Sequence, residues 1–106
     1  MFCFLTVRKL KPGAYDDFRR AWEPDWSEDW VDKFERAYHV RSVDDENEVV
    51  SFGFFNGSRE DVDRMRSDEN FRRSREERLT RIDEHVESVG ADAIYEVLEE
   101  VTPPGR

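Results

Sequence analysis

Two segments of this chain are apolar at consecutive positions, and that constrains its architecture more than any other feature. Phe2-Cys3-Phe4-Leu5-Thr6-Val7 and Val49-Val50-Ser51-Phe52-Gly53-Phe54-Phe55 carry large side chains at both parities. Successive side chains of a strand point to opposite faces, so each of these strands is apolar in front and behind. A sheet with one wetted face would alternate apolar with polar residues. A chain of 106 residues can lay one layer of helices over a four-stranded sheet and no more. The remaining face then requires a second copy of the chain, which predicts a self-associating α+β domain.

The other elements follow from local chemistry. Tyr15, Phe18 and Trp22 recur at helical spacing after Pro12-Gly13, which places Pro12 in the first turn of a helix. Pro24 ends that helix, and a shorter helical piece is expected from Asp25 to about Asp32. Lys33 to Val43 reads as the second strand, joined to the third by the turn residues Asp44-Asp45-Glu46-Asn47. Ser58-Arg59-Glu60-Asp61 has the form of a capping box and starts a short helix carrying Val62 and Met65. Ser67 is expected to cap a longer helix over Asp68 to about Ser88, with Phe71, Leu79, Ile82, Val86 and Val89 on its apolar stripe and Gly90 as its stop. The last strand is placed from Ala91 or Asp92 to Val101. The order is βαββαβ, the ferredoxin-like arrangement with a four-stranded antiparallel sheet. Residues 1–102 form one domain on this reading, and 103–106 a tail.

Charge narrows the function. The formal net charge of −9 opposes binding to nucleic acid and to anionic membrane surfaces. No apolar run approaches the roughly 20 residues that span a bilayer, and the start lacks a signal-peptide pattern. The single Cys3 cannot form an internal disulfide and fits a reducing, cytoplasmic setting. No grouping of His, Cys and carboxylates has metal-ligand spacing, so no metal is expected.

A few residues could carry chemistry. At about 100° per residue, Arg75 falls in the middle of the long helix's apolar stripe and Arg78 beside Phe71. Guanidinium groups aimed at a sheet need carboxylate partners such as Glu96, an escape to water, or an anionic ligand held by their planar fork. Trp22, Trp26 and Trp30 are spaced by four but interrupted by Pro24, so Trp26 and Trp30 either cap a pocket or close the end of a core. His39, mid-strand beside Ala37 and Arg41, reads as an acid–base candidate or a packed core histidine.

One resemblance becomes specific here. Thr6-Val7-Arg8-Lys9-Leu10-Lys11-Pro12-Gly13-Ala14-Tyr15-Asp16-Asp17-Phe18 is similar to the strand, Lys-Pro-Gly, helix opening of the dimeric α+β barrel superfamily, and Ser67-Asp68-Glu69-Asn70-Phe71 resembles the segment before its long helix. In layout the chain looks most like the antibiotic-biosynthesis-monooxygenase-like proteins. That resemblance implies a homodimer joined through the sheet face, with a small-molecule cavity between sheet and helices in each subunit. Some members oxidise polyketide-like phenols without a cofactor, and others degrade haem. The haem-degrading members use a His after the third strand and a Trp near that strand's end; here those stretches read Met65-Arg66 with Asn70, and Phe55-Asn56. No haem, and no other cofactor, is expected.

The expectation is a monooxygenase-like protein that binds a small hydrophobic or aromatic molecule and oxidises it without a cofactor. Trp26, Tyr38, Phe52, Phe54 and Arg78 would bind the ligand, with His39 and Arg75 as catalytic anchors. The alternative is a non-catalytic ligand-binding or structural homodimer.

Overall fold

The computed structural model describes residues 1–105; of the expected tail, Arg106 lies outside the described residues. The chain forms β1 (Phe2–Leu10), α1 (Tyr15–Trp22), a 3₁₀ turn (Asp29–Lys33), β2 (Phe34–Arg41), β3 (Glu48–Phe55), α2 (Arg59–Ser67), α3 (Glu69–Asp83) and β4 (Val86–Glu96). The strands make one antiparallel sheet in the order β2-β3-β1-β4. This is the ferredoxin-like arrangement that the order of elements predicts.

Both faces of the central strands are apolar, as the parity argument requires. On β3, Val49, Ser51, Gly53 and Phe55 are buried beneath the helices, while Val50, Phe52 and Phe54 look the other way and are half-buried. On β1, Phe2, Arg8 and Leu10 are buried on the helix side, and Cys3, Leu5 and Val7 take the opposite parity. On this outer face Tyr38 stacks on Phe52 with ring centroids 5.2 Å apart. Tyr38, Val40 and Tyr95, which share this face, are all exposed.

The core divides into two clusters beneath the helices. Phe2, Phe55, Val62 and Met65 form one, with Phe4, Trp30, Phe34, Phe71 and Ile94 packed around it. Leu10, Phe18, Val49 and Ile82 form the other, joined by Tyr15, Trp22 and Leu79. Between them the helix-side surface of the sheet carries Thr6, Arg8, Ala37, Ser51 and Gly53, which are too small or too polar to close the gap.

Local sequence explains most element ends, and corrects several expectations. Pro12 is not in the first turn of α1. Lys11 to Ala14 form a turn closed by the Ala14 N–H donating to the Lys11 carbonyl at 3.1 Å, with Gly13 at φ +72°. Pro followed by a left-handed Gly is the type II pattern, so the pair turns the chain before the helix begins. Pro24 does end α1, and Glu23 before it is extended at ψ 119°, as the pre-proline clash requires. The helical piece expected from Asp25 to Asp32 is a 3₁₀ turn that begins at Asp29.

The capping box at Ser58 and Asp61 is complete in both directions. The cap of α3, however, is Asp68, whose carboxylate accepts from the N–H groups of Asn70 and Phe71 at 2.8 and 3.1 Å. Ser67 instead closes α2, its hydroxyl donating to the Asp63 carbonyl.

The largest difference concerns the fourth strand. Val86, Val89 and Gly90 belong to β4, not to the long helix, which ends at Asp83. Val86 pairs with Leu10 and Val89 with Arg8, so ladder bonds to the full length of β1 outweigh the helical spacing of these β-branched residues. At its other end β4 stops at Glu96, opposite Phe2, and one further bond, from the Val97 N–H to the Met1 carbonyl at 3.0 Å, follows it. Leu98 and Val101, expected inside the strand, are exposed beyond it. No helix among the described residues is long and apolar enough to cross a membrane.

Candidate functional site

The gap between the two clusters is a cavity of about 500 Å³ under α1, α3 and the loop after α1. That volume lies within the range of small-molecule sites. Its floor is made by Thr6, Ala37, Ser51 and Gly53. A Cβ on Gly53 would stand 3.2 Å from the Arg36 carbonyl and 3.3 Å from the Ala37 Cβ, so a glycine lets β2 approach closely where the strand is bulged between Phe34 and Arg36.

Aromatic rings form the walls. Trp30 meets Phe34 and Phe71 edge to face at 5.3 and 5.0 Å, closing one end. Trp22 stands at the other end, and Trp26 and Pro24 sit at the opening. The indole N–H groups of Trp26 and Trp30 donate to Glu23 and Glu28, which fixes the rings of the loop and leaves their faces for contact.

The polar side of the cavity is built from strands and α3. The Arg75 guanidinium donates to Asp92 at 3.3 Å, and the other oxygen of Asp92 accepts from the Thr6 hydroxyl at 3.0 Å. The helix-face position that looked anomalous for Arg75 is therefore met by a carboxylate, though from Asp92 and not from Glu96. Arg78 lies over the Trp22 ring at 5.6 Å, and Arg8, on central strand β1, lies over Phe18 at 5.4 Å. Burial lowers the pKa of both guanidinium groups, that of Arg78 to about 10, so Arg78 stays charged near neutral pH.

His39 lies beside the floor on the helix side of the sheet, beneath α1 and outside the cavity lining. Its Nδ1 is 2.7 Å from the Ser51 hydroxyl, and Ser51 itself faces the cavity. The ring is boxed edge-on by Trp22, Phe18 and Tyr15, with centroids 4.5, 5.5 and 6.3 Å away. Burial in that box, then the nearby charges of Arg19 and Arg8, lower its pKa to about 4, so the imidazole is neutral near pH 7.

Among the residues singled out in the sequence, the structure thus gathers Trp26, Arg75 and Arg78 at one cavity, with His39 one residue removed. Phe52 touches the cavity, but its ring stacks on Tyr38 on the far side of the sheet. Tyr38 and Phe54 are placed wholly on that outer face, where Arg36 lies 6.0 Å from both rings. Arg8, Ser51 and Asp92 escaped the sequence reading. Arg8 had a usable signal: it shares strand parity with Phe2, Phe4 and Leu10, which marks it as a charge on the covered face.

Several solved structures share this architecture. A protein of Nitrosomonas europaea provisionally named an antibiotic biosynthesis monooxygenase matches 93% of this chain and 100% of its own, with a TM-score of 0.61 and 15% identity. A Chloroflexus aurantiacus protein with the same provisional name matches 95% of this chain and 96% of its own, at TM-score 0.62 and 7% identity. A Mycobacterium tuberculosis protein covers 95% and 98% at TM-score 0.59 and 19% identity. The fold is that of the antibiotic-biosynthesis-monooxygenase-like proteins. No protein-family profile matches the sequence, and no curated protein matches it. At such identities the correspondence lies in the path of the backbone, and the chemistry has to be argued from the cavity.

Proposed function

We propose that this chain binds a planar hydrophobic or aromatic molecule in the cavity between sheet and helices and oxidises it without a bound cofactor. The observation that carries the reading is the cavity itself, about 500 Å³ walled by the edges and faces of Trp22, Trp26, Trp30, Phe34 and Phe71. Flat walls of this kind exclude water and favour offset or edge contacts with a flat ligand. The fold's likeness to structures named antibiotic biosynthesis monooxygenases supports oxidation as the reaction. Molecular oxygen would be the oxidant and an electron-rich ring the reductant. In this scheme Arg75, held by Asp92, stabilises charge developing on the substrate. His39 acts through the Ser51 hydroxyl and not by direct contact.

Titration with 2-naphthol should quench the cavity tryptophans saturably, and Ala37→Phe, which fills the floor, should abolish the quenching while the circular dichroism spectrum is kept. Failure of mono-, di- and tricyclic phenols alike to quench would remove the proposal. Oxygen uptake with a bound phenol separates oxidation from plain binding. If His39→Ala and Arg75→Ala leave that uptake unchanged, neither is an anchor.

The second reading, a pairing role, rests on the outer face, where Leu5, Val7, Val50, Phe52 and Phe54 are left half-buried by their own chain. A second copy packing its sheet against this face would cover them, and the two readings are compatible. Phe54→Lys should then convert a dimer, measured by sedimentation equilibrium, into a monomer. A wild-type chain that sediments as a monomer at micromolar concentration contradicts the pairing.

A further inference from the structure

The cavity has the opposite charge to the molecule that contains it. The chain carries −9 overall, yet the cavity is bordered by six arginines and only two carboxylates, Glu35 and Asp92. Arg36 is drawn to the outer face by Tyr38 and Phe54, and Arg75 is already paired with Asp92. Arg66 and Arg72 are exposed to solvent at the rim, which leaves Arg8 and Arg78. Arg8 is only 6% exposed, and among the described residues no carboxylate forms an ion pair with either guanidinium. Arg8 Nη1 and Arg78 Nε are buried without a hydrogen-bond partner. Arg8 is also the like charge that acts most strongly on Arg78. Two cations that share one cavity, each resting on an aromatic face, leave their in-plane N–H groups unused. Such groups are costly to bury, and arginine cannot relieve the cost by losing its proton.

We infer that the natural ligand is an aromatic carboxylate, its anionic group seated between Arg8 and Arg78 and its ring against the Trp30, Phe34 and Phe71 end of the cavity. A carboxylate offers two coplanar acceptors, which match the guanidinium fork. It neutralises the repulsion between the two arginines, and the aromatic end supplies a dry surface for the ring. This assignment rests on the small-molecule reading above and narrows it to one ligand class.

The test compares 2-naphthoate with 2-naphthol, which share a ring system and differ in charge near neutral pH. Naphthoate should bind the wild-type protein about tenfold or more tightly than naphthol. Arg8→Met and Arg78→Met should each erase that preference while naphthol binding persists. Arg8→Met should also raise the melting temperature of the unliganded protein, since it removes a buried charge that Asp92 and Asp83 offset only from a distance, with no direct ion pair. A lower melting temperature in that variant marks Arg8 as a structural residue and overturns the assignment. Equal affinity for the two compounds overturns the carboxylate assignment and leaves the binding proposal standing, whereas refusal of both compounds overturns both. A preference for naphthoate that survives in Arg78→Met, which lies nearer the surface and is the safer variant for folding, places the anion elsewhere and overturns it as well.

Discussion

Truncating Phe55 to alanine is expected to lower the unfolding free energy by about 3–5 kcal/mol. Phe55 is fully buried at the end of β3 and is the ring on which its cluster converges, 5.1 Å from Phe34 and 5.7 Å from Phe4. The backbone around it has little room to collapse. Gly57 lies so close that a Cβ there would stand 2.6 Å from Phe55 Cε1, and α2 is anchored just beyond by the Ser58–Asp61 box. The hole left by the ring would therefore persist, and a persistent cavity adds to the lost transfer energy. For a domain whose total stability is of order 5–15 kcal/mol, that loss is at least about a fifth of the whole. Urea denaturation should show the midpoint falling with the slope unchanged. A loss below about 1 kcal/mol would mean that the cluster does not hold the sheet to α2.

Acid should unfold this protein through His39 before it does so through most of its carboxylates. Burial, reinforced by Arg19 and Arg8, lowers the folded-state pKa of His39 to about 4 from 6.5. Between those values the unfolded chain binds a proton that the folded chain refuses. Stability is therefore full above about pH 6.5 and falls as the pH drops toward 4. After allowance for solvent reaching part of the ring, the loss should be about 1–2 kcal/mol. Asp45 and Asp61 have pKa values held below the usual carboxylate range by backbone N–H donors, and Glu23 by its hydrogen bond from Arg19, so their contributions are lost at lower pH. His39→Gln keeps a hydrogen bond to Ser51 within reach and removes the titration. Its stability should be nearly flat between pH 6.5 and 4.5, measured by urea denaturation at each pH. Parallel curves for variant and wild type would clear His39 of the effect.

The parity of β1 and β3 was legible from the residues, and with it the two-faced sheet, because side-chain alternation is a purely local property. The capping box and the stop at Pro24 were legible for the same reason. The boundary between α3 and β4 was not. Val86 and Val89 continue a helical stripe in the sequence, and only pairing with Leu10 and Arg8, some eighty residues earlier, assigns them to a strand. The site was legible in kind and not in membership. Arg75, Arg78 and Trp26 stood out as charges or large rings in unusual settings, and the fold brings them together. Tyr38 and Phe54 stood out as aromatics on strands, but an aromatic pattern alone does not say which face of a doubly apolar sheet meets the helices. Arg8 was overlooked inside a run of basic residues, although its parity placed it among the buried positions.

The division of the core also bears on how this scaffold can change. Rigidity resides in two anchors, one at Phe55 and the other at Phe18, whereas the shape of the chamber is set by Thr6, Ala37, Ser51 and Gly53 between them. Exchanging one of those four small side chains would recut the chamber and leave both anchors in place. A descendant could thus trade one guest for another without refolding its frame, which suits a backbone found again at 7% identity.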